Sequence, residues 1–496
     1  MVALVGLEPT RYRYHWILSP ARLPISPQGH FAIILYHNDY FNSRKFICFL
    51  ITLSSESGKI IKLKRDDVMI NSIIIGAVTI ALMIFLIIRF PKIKISKYEF
   101  QTFWIVPLVS SVLILLLGIL DFEKAIEGLT ADVSVNPIKI LILFFSMTFM
   151  SIVLDELGFF DYLANLALKK AKSNQKVLFF TLYILTSILT VFTSNDIIIL
   201  TFTPFIIFFT KSAKINPIPY LVSEFVAANT WSMMFIIGNP TNIYLATSSN
   251  LDFIGYFLVM VLPTVFAGLT SLLVLYLLFK KGLEKPLEVE EVEKKLKHRI
   301  LLISDLDCLG LCTIILIISS YINIDMYLVA MVFALLELFI IILYSIIRKK
   351  RRVLFTSVKR LPWSLIPFVL SMFIIVLMLE NSGVTSKIAT LFDNEYPILT
   401  YGVTSTLFCN LINNIPMSVL YSKIIPVNNL GALYSTIIGS NIGAFLSPIG
   451  ALAGIMWLSI LKKYDVDFSF MKFVKYGVIV VVPTLFAALL GLAIIL

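Results

Sequence analysis

The chain has 496 residues, 58% of them hydrophobic and 14% charged, and its mean hydropathy is +0.92. That balance excludes a soluble domain and defines a polytopic membrane protein. The net charge of +11 does not point to nucleic acid, because the basic residues gather in short runs between apolar segments, as in Arg348 to Arg352, and read as cytoplasmic loop charges.

Residues 1–68 differ from the rest. They hold no clean apolar run, and the string from Val5-Gly6-Leu7-Glu8-Pro9-Thr10 to Ile25 resembles a wrongly translated transfer-RNA gene. Met69 is therefore the expected start, and 1–68 a non-native extension. The alternative is a disordered cytoplasmic arm. A cleaved signal peptide is not expected, because a continuous apolar h-region is missing.

At ~20 apolar residues per span, spans are predicted over 71–89, 101–120, 137–155, 219–246, 253–279, 300–320, 327–347, 361–381, 430–460 and 473–495. Two further apolar segments, 177–210 and 398–425, are each broken midway by Asn and read as re-entrant hairpins. The expected fold is all-α: about ten transmembrane helices plus two re-entrant hairpins. The four cysteines, Cys48, Cys308, Cys312 and Cys409, have no metal-site spacing and read as small buried residues, with a soft-metal site as the alternative.

The chain also repeats itself. Pro137, Ser146, Met147 and Gly158 recur at a constant offset of 225 as Pro362, Ser371, Met372 and Gly383. Leu-Pro-Thr-Val-Phe-Ala-Gly-Leu at 262–269 recurs as Val-Pro-Thr-Leu-Phe-Ala-Ala-Leu at 482–489. The organisation expected is a first repeat over 69–280, a solvated cytoplasmic linker over 281–299 and a second repeat over 300–496. Lysines flank the first hairpin on both sides, which puts both its ends in the cytoplasm. Five spans plus one hairpin make an odd number of crossings, so the second repeat is expected to be inverted and its hairpin to enter from outside. Paired apolar halves with matching polar breaks are the pattern of a secondary transporter whose site lies between repeats.

The chemistry concentrates at four breaks. Ser194, Asn195 and Asp196 at the first hairpin tip, and Asn413 and Asn414 before Pro416 at the second, are helix-start residues that place unsatisfied N–H groups at mid-membrane. The fourth span is broken at Gly238-Asn239-Pro240-Thr241-Asn242, and its counterpart at Gly439-Ser440-Asn441-Ile442-Gly443 and Ser447-Pro448-Ile449-Gly450. Four breaks in symmetric places argue against mere kinks. No arginine occurs between Arg89 and Arg299 or after Arg360, so an anion in the core must be held by backbone dipoles and by Asn, Ser or Thr. Asp196 is a deep carboxylate that suits proton coupling, or simply caps the second leg of its hairpin. Glu337 is a second, expected to serve a bundle-facing structural role in the scaffold, with a proton relay as the alternative. Glu224 is expected to line the inner vestibule, and Asp155, Glu156 and Glu380 to sit at span ends.

On the strings Thr193-Ser-Asn-Asp196 with Thr203-Pro204, Ile237-Gly-Asn-Pro-Thr-Asn242, Asn413-Asn-Ile-Pro416 and Ser447-Pro-Ile-Gly-Ala-Leu-Ala453 with Trp457, the chain from about residue 70 to 496 resembles the ion transporter superfamily in its arsenite-permease and citrate-transporter-like branch. The resemblance implies a scaffold and a moving transport domain, elevator-like alternating access and a homodimer. It also implies substrate binding by Ser194, Asn195, Asp196, Asn413, Asn414, Thr241, Ser447 and Pro448. Cation or proton coupling would fall to Asp196, Gly238, Asn239, Asn242, Ser440 and Asn441. In sodium-coupled dicarboxylate relatives both tips read Ser-Asn-Thr, whereas here the Thr is replaced on both sides.

The expected function is secondary transport of arsenite, another small oxyanion or a carboxylate, coupled to protons, in the plasma membrane. The alternatives are a sodium:proton antiporter and a sodium-coupled carboxylate symporter. No enzyme chemistry, cofactor or metal is expected beyond Na+ or H+ as coupling ion. ATP hydrolysis by the chain is excluded by the lack of a glycine-rich loop with Lys-Ser or Lys-Thr, which leaves room for a separate ATPase partner.

Overall fold

The computed structural model describes residues 65–90, 92–95, 98–130, 136–171, 174–284, 298–319, 324–349, 351–393 and 395–496. The expectations for residues 1–64, for most of the 281–299 linker and for Cys48 fall outside them.

Helices dominate, and the two halves correspond element by element. The first half runs α1 (Arg65–Arg89), a β-hairpin of β1 (Lys92–Ile95) and β2 (Tyr98–Gln101), α2 (Ile105–Leu116), α3 (Phe122–Thr130), α4 (Pro137–Glu156), α5 (Phe159–Ala171), α6 (Gln175–Phe192), α7 (Asn195–Ser212), α8 (Ile218–Trp231), α9 (Pro240–Ser248) and α10 (Phe253–Phe279). The second runs α11 (Arg299–Ile318), α12 (Met326–Ile347), α13 (Arg352–Arg360), α14 (Leu365–Asn381), α15 (Val384–Leu391), α16 (Pro397–Ile412), α17 (Asn414–Tyr421), α18 (Leu430–Ile442), α19 (Leu452–Lys463) and α20 (Phe470–Ile495). Each helix of the first half thus has its counterpart ten places later.

Local chemistry sets the boundaries. Asn136 caps α4 by accepting from Ile138 N at 2.9 Å and Lys139 N at 3.2 Å, with Pro137 at the first helical position, where its missing N–H costs nothing. After α4 and α14 the chain turns at Gly158 and Gly383, with φ of +82° and +81°, a left-handed conformation that glycine adopts without a Cβ penalty. The repeated glycine is therefore a repeated turn.

Among the described residues nine helices are long and apolar enough to cross a membrane, with shorter apolar helices at Ile105–Leu116, Pro397–Ile412 and Leu430–Phe445. The chain is a multi-pass membrane protein. Span 253–279 is found with the expected bounds. Span 101–120 is not: its start is β2, paired antiparallel with β1, and α2 at 12 residues is only ~18 Å long. Alternation in Lys-Ile-Lys-Ile and Tyr-Glu-Phe-Gln carries the strand period that the basic patch obscured. The hairpins are also unequal. Both legs of the first, α6 and α7, have 18 residues, enough for each to cross on length, whereas the second pairs 16 residues with 8.

Burial separates inner from outer helices. The apolar window of α4 is 78% buried, against 28% for α1 and 22% for α12, so α4 runs through the protein while the other two expose most of their surface to lipid. Glu337 of α12 is buried and faces Asp305 of α11, as the scaffold reading expected of an inward side chain. Cys308, Cys312 and Cys409 are buried free thiols. Asp155 and Glu156 close α4 with Arg360, each at 2.6 Å, and Glu380 pairs with Lys423 at 3.0 Å; all three carboxylates end helices as expected.

A close backbone approach lies in the second half, where Gly439 and Gly443 of the α18 segment bring it against α16. A Cβ at Gly439 would overlap Ser405 Oγ, and one at Gly443 would overlap Cys409 Sγ and stand 2.9 Å from the Thr406 carbonyl oxygen. Backbone cannot retreat as a side chain can. Gly443→Val is therefore expected to cost more than about 3 kcal/mol, read as loss of the monodisperse peak in size-exclusion chromatography of the solubilised protein.

Candidate functional site

The sequence-predicted residues other than Asp196 lie in a buried polar core in which each hairpin tip meets a broken span and the two broken spans meet each other. At the first tip α7 starts from Ser194, whose backbone is extended and whose hydroxyl caps nothing. Asn195 Nδ2 donates to Asn229 Oδ1 of α8 at 3.1 Å. Ser194 Oγ and Asn195 Oδ1 remain buried without a partner. Burying such groups unsatisfied costs about 1–3 kcal/mol each.

At the second tip Asn413 adopts φ 74° and ψ 152°, a region that is essentially glycine's. Its side chain accepts from Ile415 N and donates from Nδ2 to the Ile449 carbonyl at 3.0 Å, which holds the strained turn against the second break. Asn410, one turn earlier, donates to the Gly443 carbonyl at 2.9 Å and accepts from Ser447 Oγ at 2.6 Å. Pro448 follows as the first residue of a 3-10 turn, Pro448–Gly450. Asn414 is buried in the first turn of α17.

Between the breaks the amides interlock. Asn441 Oδ1 accepts from Ser232 Oγ at 3.0 Å and from Asn239 Nδ2 at 2.9 Å, and Asn441 Nδ2 donates to Asn242 Oδ1 at 2.7 Å. Asn242 Nδ2 donates to the carbonyls of Ser232 and Phe235, the groups released where α8 ends. Thr241 and Ser440 share a hydrogen bond at 3.1 Å. Gly238 sits where a Cβ would overlap the Ser232 carbonyl, so this break needs glycine for close approach.

Asp196 stands apart from these amides. It lines a cavity of about 750 Å³ whose floor includes Thr148 of α4, the first turn of α7 at Asp196 and Ile197, and the first residue of α19, Leu452. The exposed cations Lys359, Arg360 and Lys463 line it too. Arg360 is committed to Asp155 and Glu156, which leaves Lys359 and Lys463 as the other cations of the lining, with Lys463 over the Tyr464 ring. The chamber is thus bordered by the first turn of α7 and by one side of α19 from Leu452 to Lys463, and a helix N-terminus carries roughly half a positive charge. Thr148 Oγ1 is buried there without a partner. A second cavity of about 20 Å³, room for one water, is lined by Thr241, Tyr244, Ile415 and Ser418. Phe144 and Leu365 line both and form the partition.

Some partners escaped the sequence. Asn229, Ser232 and Asn410 carry much of the network, and the available signal was an amide or hydroxyl within a turn or two of a break. Glu224 does not line the vestibule as expected: it is 1% exposed, with Thr203 Oγ1 donating to its carboxylate at 3.2 Å. No group of three or more His, Cys, Asp or Glu that could hold a metal occurs among the described residues.

The 46 kDa membrane protein of Mycobacterium leprae is 25% identical over 366 residues, covering 69% of this chain and 83% of its own. An arsenical pump membrane protein of Escherichia coli is 24% identical over 369 residues, covering 71% of this chain and 85% of its own. The crystal structure of the YdaH transporter of Alcanivorax borkumensis superposes with a TM-score of 0.51 at 11% identity, over 86% of this chain and 97% of that one, a likeness of fold alone. The sequence profile of the citrate transporter family matches residues 83–432, a stretch that takes in both hairpin tips and the first broken span, so this chain belongs to the citrate transporter family.

Proposed function

We propose that the protein is a secondary active transporter of a small inorganic oxyanion or organic anion, coupled to protons through Asp196. The observation that carries this reading is one chamber lined by the first turn of α7 and by α19 from its first residue onward, together with Lys359 and Lys463. Backbone donors and dipoles there favour an anion or a polyhydroxy acid without any arginine clamp. Asp196 in the same chamber would repel a bound anion when charged, so substrate and proton binding are linked at this carboxyl. The arsenical pump relative and the family name supply two probes, arsenite and citrate.

The amide network argues for a proton over a sodium ion, because Asn441 Oδ1 already accepts two hydrogen bonds and Asn242 Oδ1 one. In this reading the amides lock the two broken spans into a single moving body. Access alternates by an elevator-like shift of that body against a scaffold, with the second repeat inverted and two chains forming a dimer. A separate ATPase partner is compatible with the same chain. A thermal-shift screen of purified protein against arsenite, antimonite, citrate, succinate, sulfate, sodium and lithium tests the class: an anion or arsenite should raise the melting temperature more at acidic pH. Stabilisation by sodium or lithium alone would favour the antiporter.

A further inference from the structure

Glu224 has no place in the reading just given, yet it is the most enclosed carboxylate of this half. We infer that Glu224 is a second proton-binding site of the transport cycle, loaded from the large cavity through Thr203; the inference rests on transport being proton-coupled.

The geometry is specific. Glu224 lies on α8 with Thr203 of α7 as its hydroxyl donor, and the Trp457 indole of α19 stands beside it. It therefore touches two of the helices that border the chamber. Among the described residues no Lys, Arg or His lies within ion-pair distance of it. Of the titratable groups on the helices packed against it, Asp196 stands about two turns along α7 from Thr203, and the others are engaged elsewhere. Tyr183 of α6 bonds Ser271, Lys211 of α7 donates to the Tyr464 carbonyl, Tyr256 of α10 donates to the Met233 carbonyl, and Tyr434 of α18 packs on Tyr256. An unpaired charge at such a position costs several kcal/mol, which a bound proton removes.

A route to the cavity exists along α7. Asp196, Leu200 and Thr203 fall on one face over two turns, ~10 Å, and both Asp196 and Leu200 line the cavity. Pro204 has no N–H to give the Leu200 carbonyl, so that oxygen lacks its usual helical donor one turn from Thr203. The proton passes by exchange: the Thr203 hydroxyl gives its hydrogen to the Glu224 carboxylate and takes another from a hydronium ion on the cavity side, which is left as water, so that Thr203 is unchanged and Glu224 neutral.

The test uses full-length protein in proteoliposomes with radiolabelled arsenite and citrate as probes, alongside infrared spectroscopy. The wild-type spectrum minus that of Glu224→Gln should contain the carbonyl stretch of a protonated carboxyl, shifting with deuterium exchange, and the same band should remain in Asp196→Asn. Glu224→Gln should lose pH-driven accumulation while retaining counterflow exchange, and Thr203→Val should slow accumulation at unchanged exchange. Absence of the band, or wild-type accumulation by Glu224→Gln, overturns the inference. If Asp196→Asn alone uncouples, the reading above stands and Glu224 is structural. If wild-type transport ignores the pH gradient, both fail.

Discussion

Asn195→Ala and Asn414→Ala are each expected to abolish substrate uptake in proteoliposomes while leaving the protein folded in the membrane. Each removes an amide from the first turn of a hairpin's second leg, where the helix N–H groups are exposed to the site. For Asn195 the structure makes the expectation sharper. Its Nδ2 is spent on Asn229, and its Oδ1 is buried with no partner, so truncation deletes a site acceptor and frees Asn229 Oδ1 at once. Leaving one buried amide oxygen unpaired costs about 1–3 kcal/mol, which lowers the melting temperature without unfolding the chain. Wild-type transport by both variants would place the substrate elsewhere.

Asp196→Asn separates capping from coupling. Asn and Asp are nearly equal at helix starts, so a residue that only stabilises α7 should tolerate the change with its pH dependence intact. If Asp196 carries the coupling proton, Asn mimics the permanently protonated form. Uptake then ceases to respond to an imposed pH gradient, whereas exchange of substrate across the membrane persists. The measurement is pH-driven accumulation against counterflow in one preparation. Unaltered pH-driven transport in the Asn variant would rule out Asp196 as the coupling residue and shift weight to another buried carboxyl, Glu337 or Glu224.

Much of this arrangement was legible in the sequence because it depends on local chemistry. A 27-residue apolar helix such as Phe253–Phe279 declares itself by length, and Gly158 and Gly383 mark the same turn twice. The tips were legible for a similar reason: Ser-Asn-Asp and Asn-Asn-Ile-Pro are helix starts wherever they occur. What stayed hidden depends on tertiary partners. Nothing in the strings around Asn239 and Asn441 says that residues 202 apart share a hydrogen bond at 2.9 Å, or that Asn441 will saturate its own oxygen with partners from the other half. The burial of Glu224 was likewise invisible, since its depth along the chain suggested a helix near its cytoplasmic end, and only the packing of α7 closes it off. The β-hairpin was missed because its short alternation sits among basic residues that also read as a loop.

The central claim is uphill transport of a small anion driven by a proton gradient without ATP. Its most direct test is uptake of radiolabelled arsenite and of citrate by proteoliposomes containing only this protein, with a pH gradient imposed and then collapsed. One of the two probes should accumulate above its external concentration while the gradient lasts, leave when it is collapsed, and fail to accumulate with Asn195→Ala. Entry that merely equilibrates, is indifferent to the gradient and is unchanged in Asn195→Ala would contradict the claim.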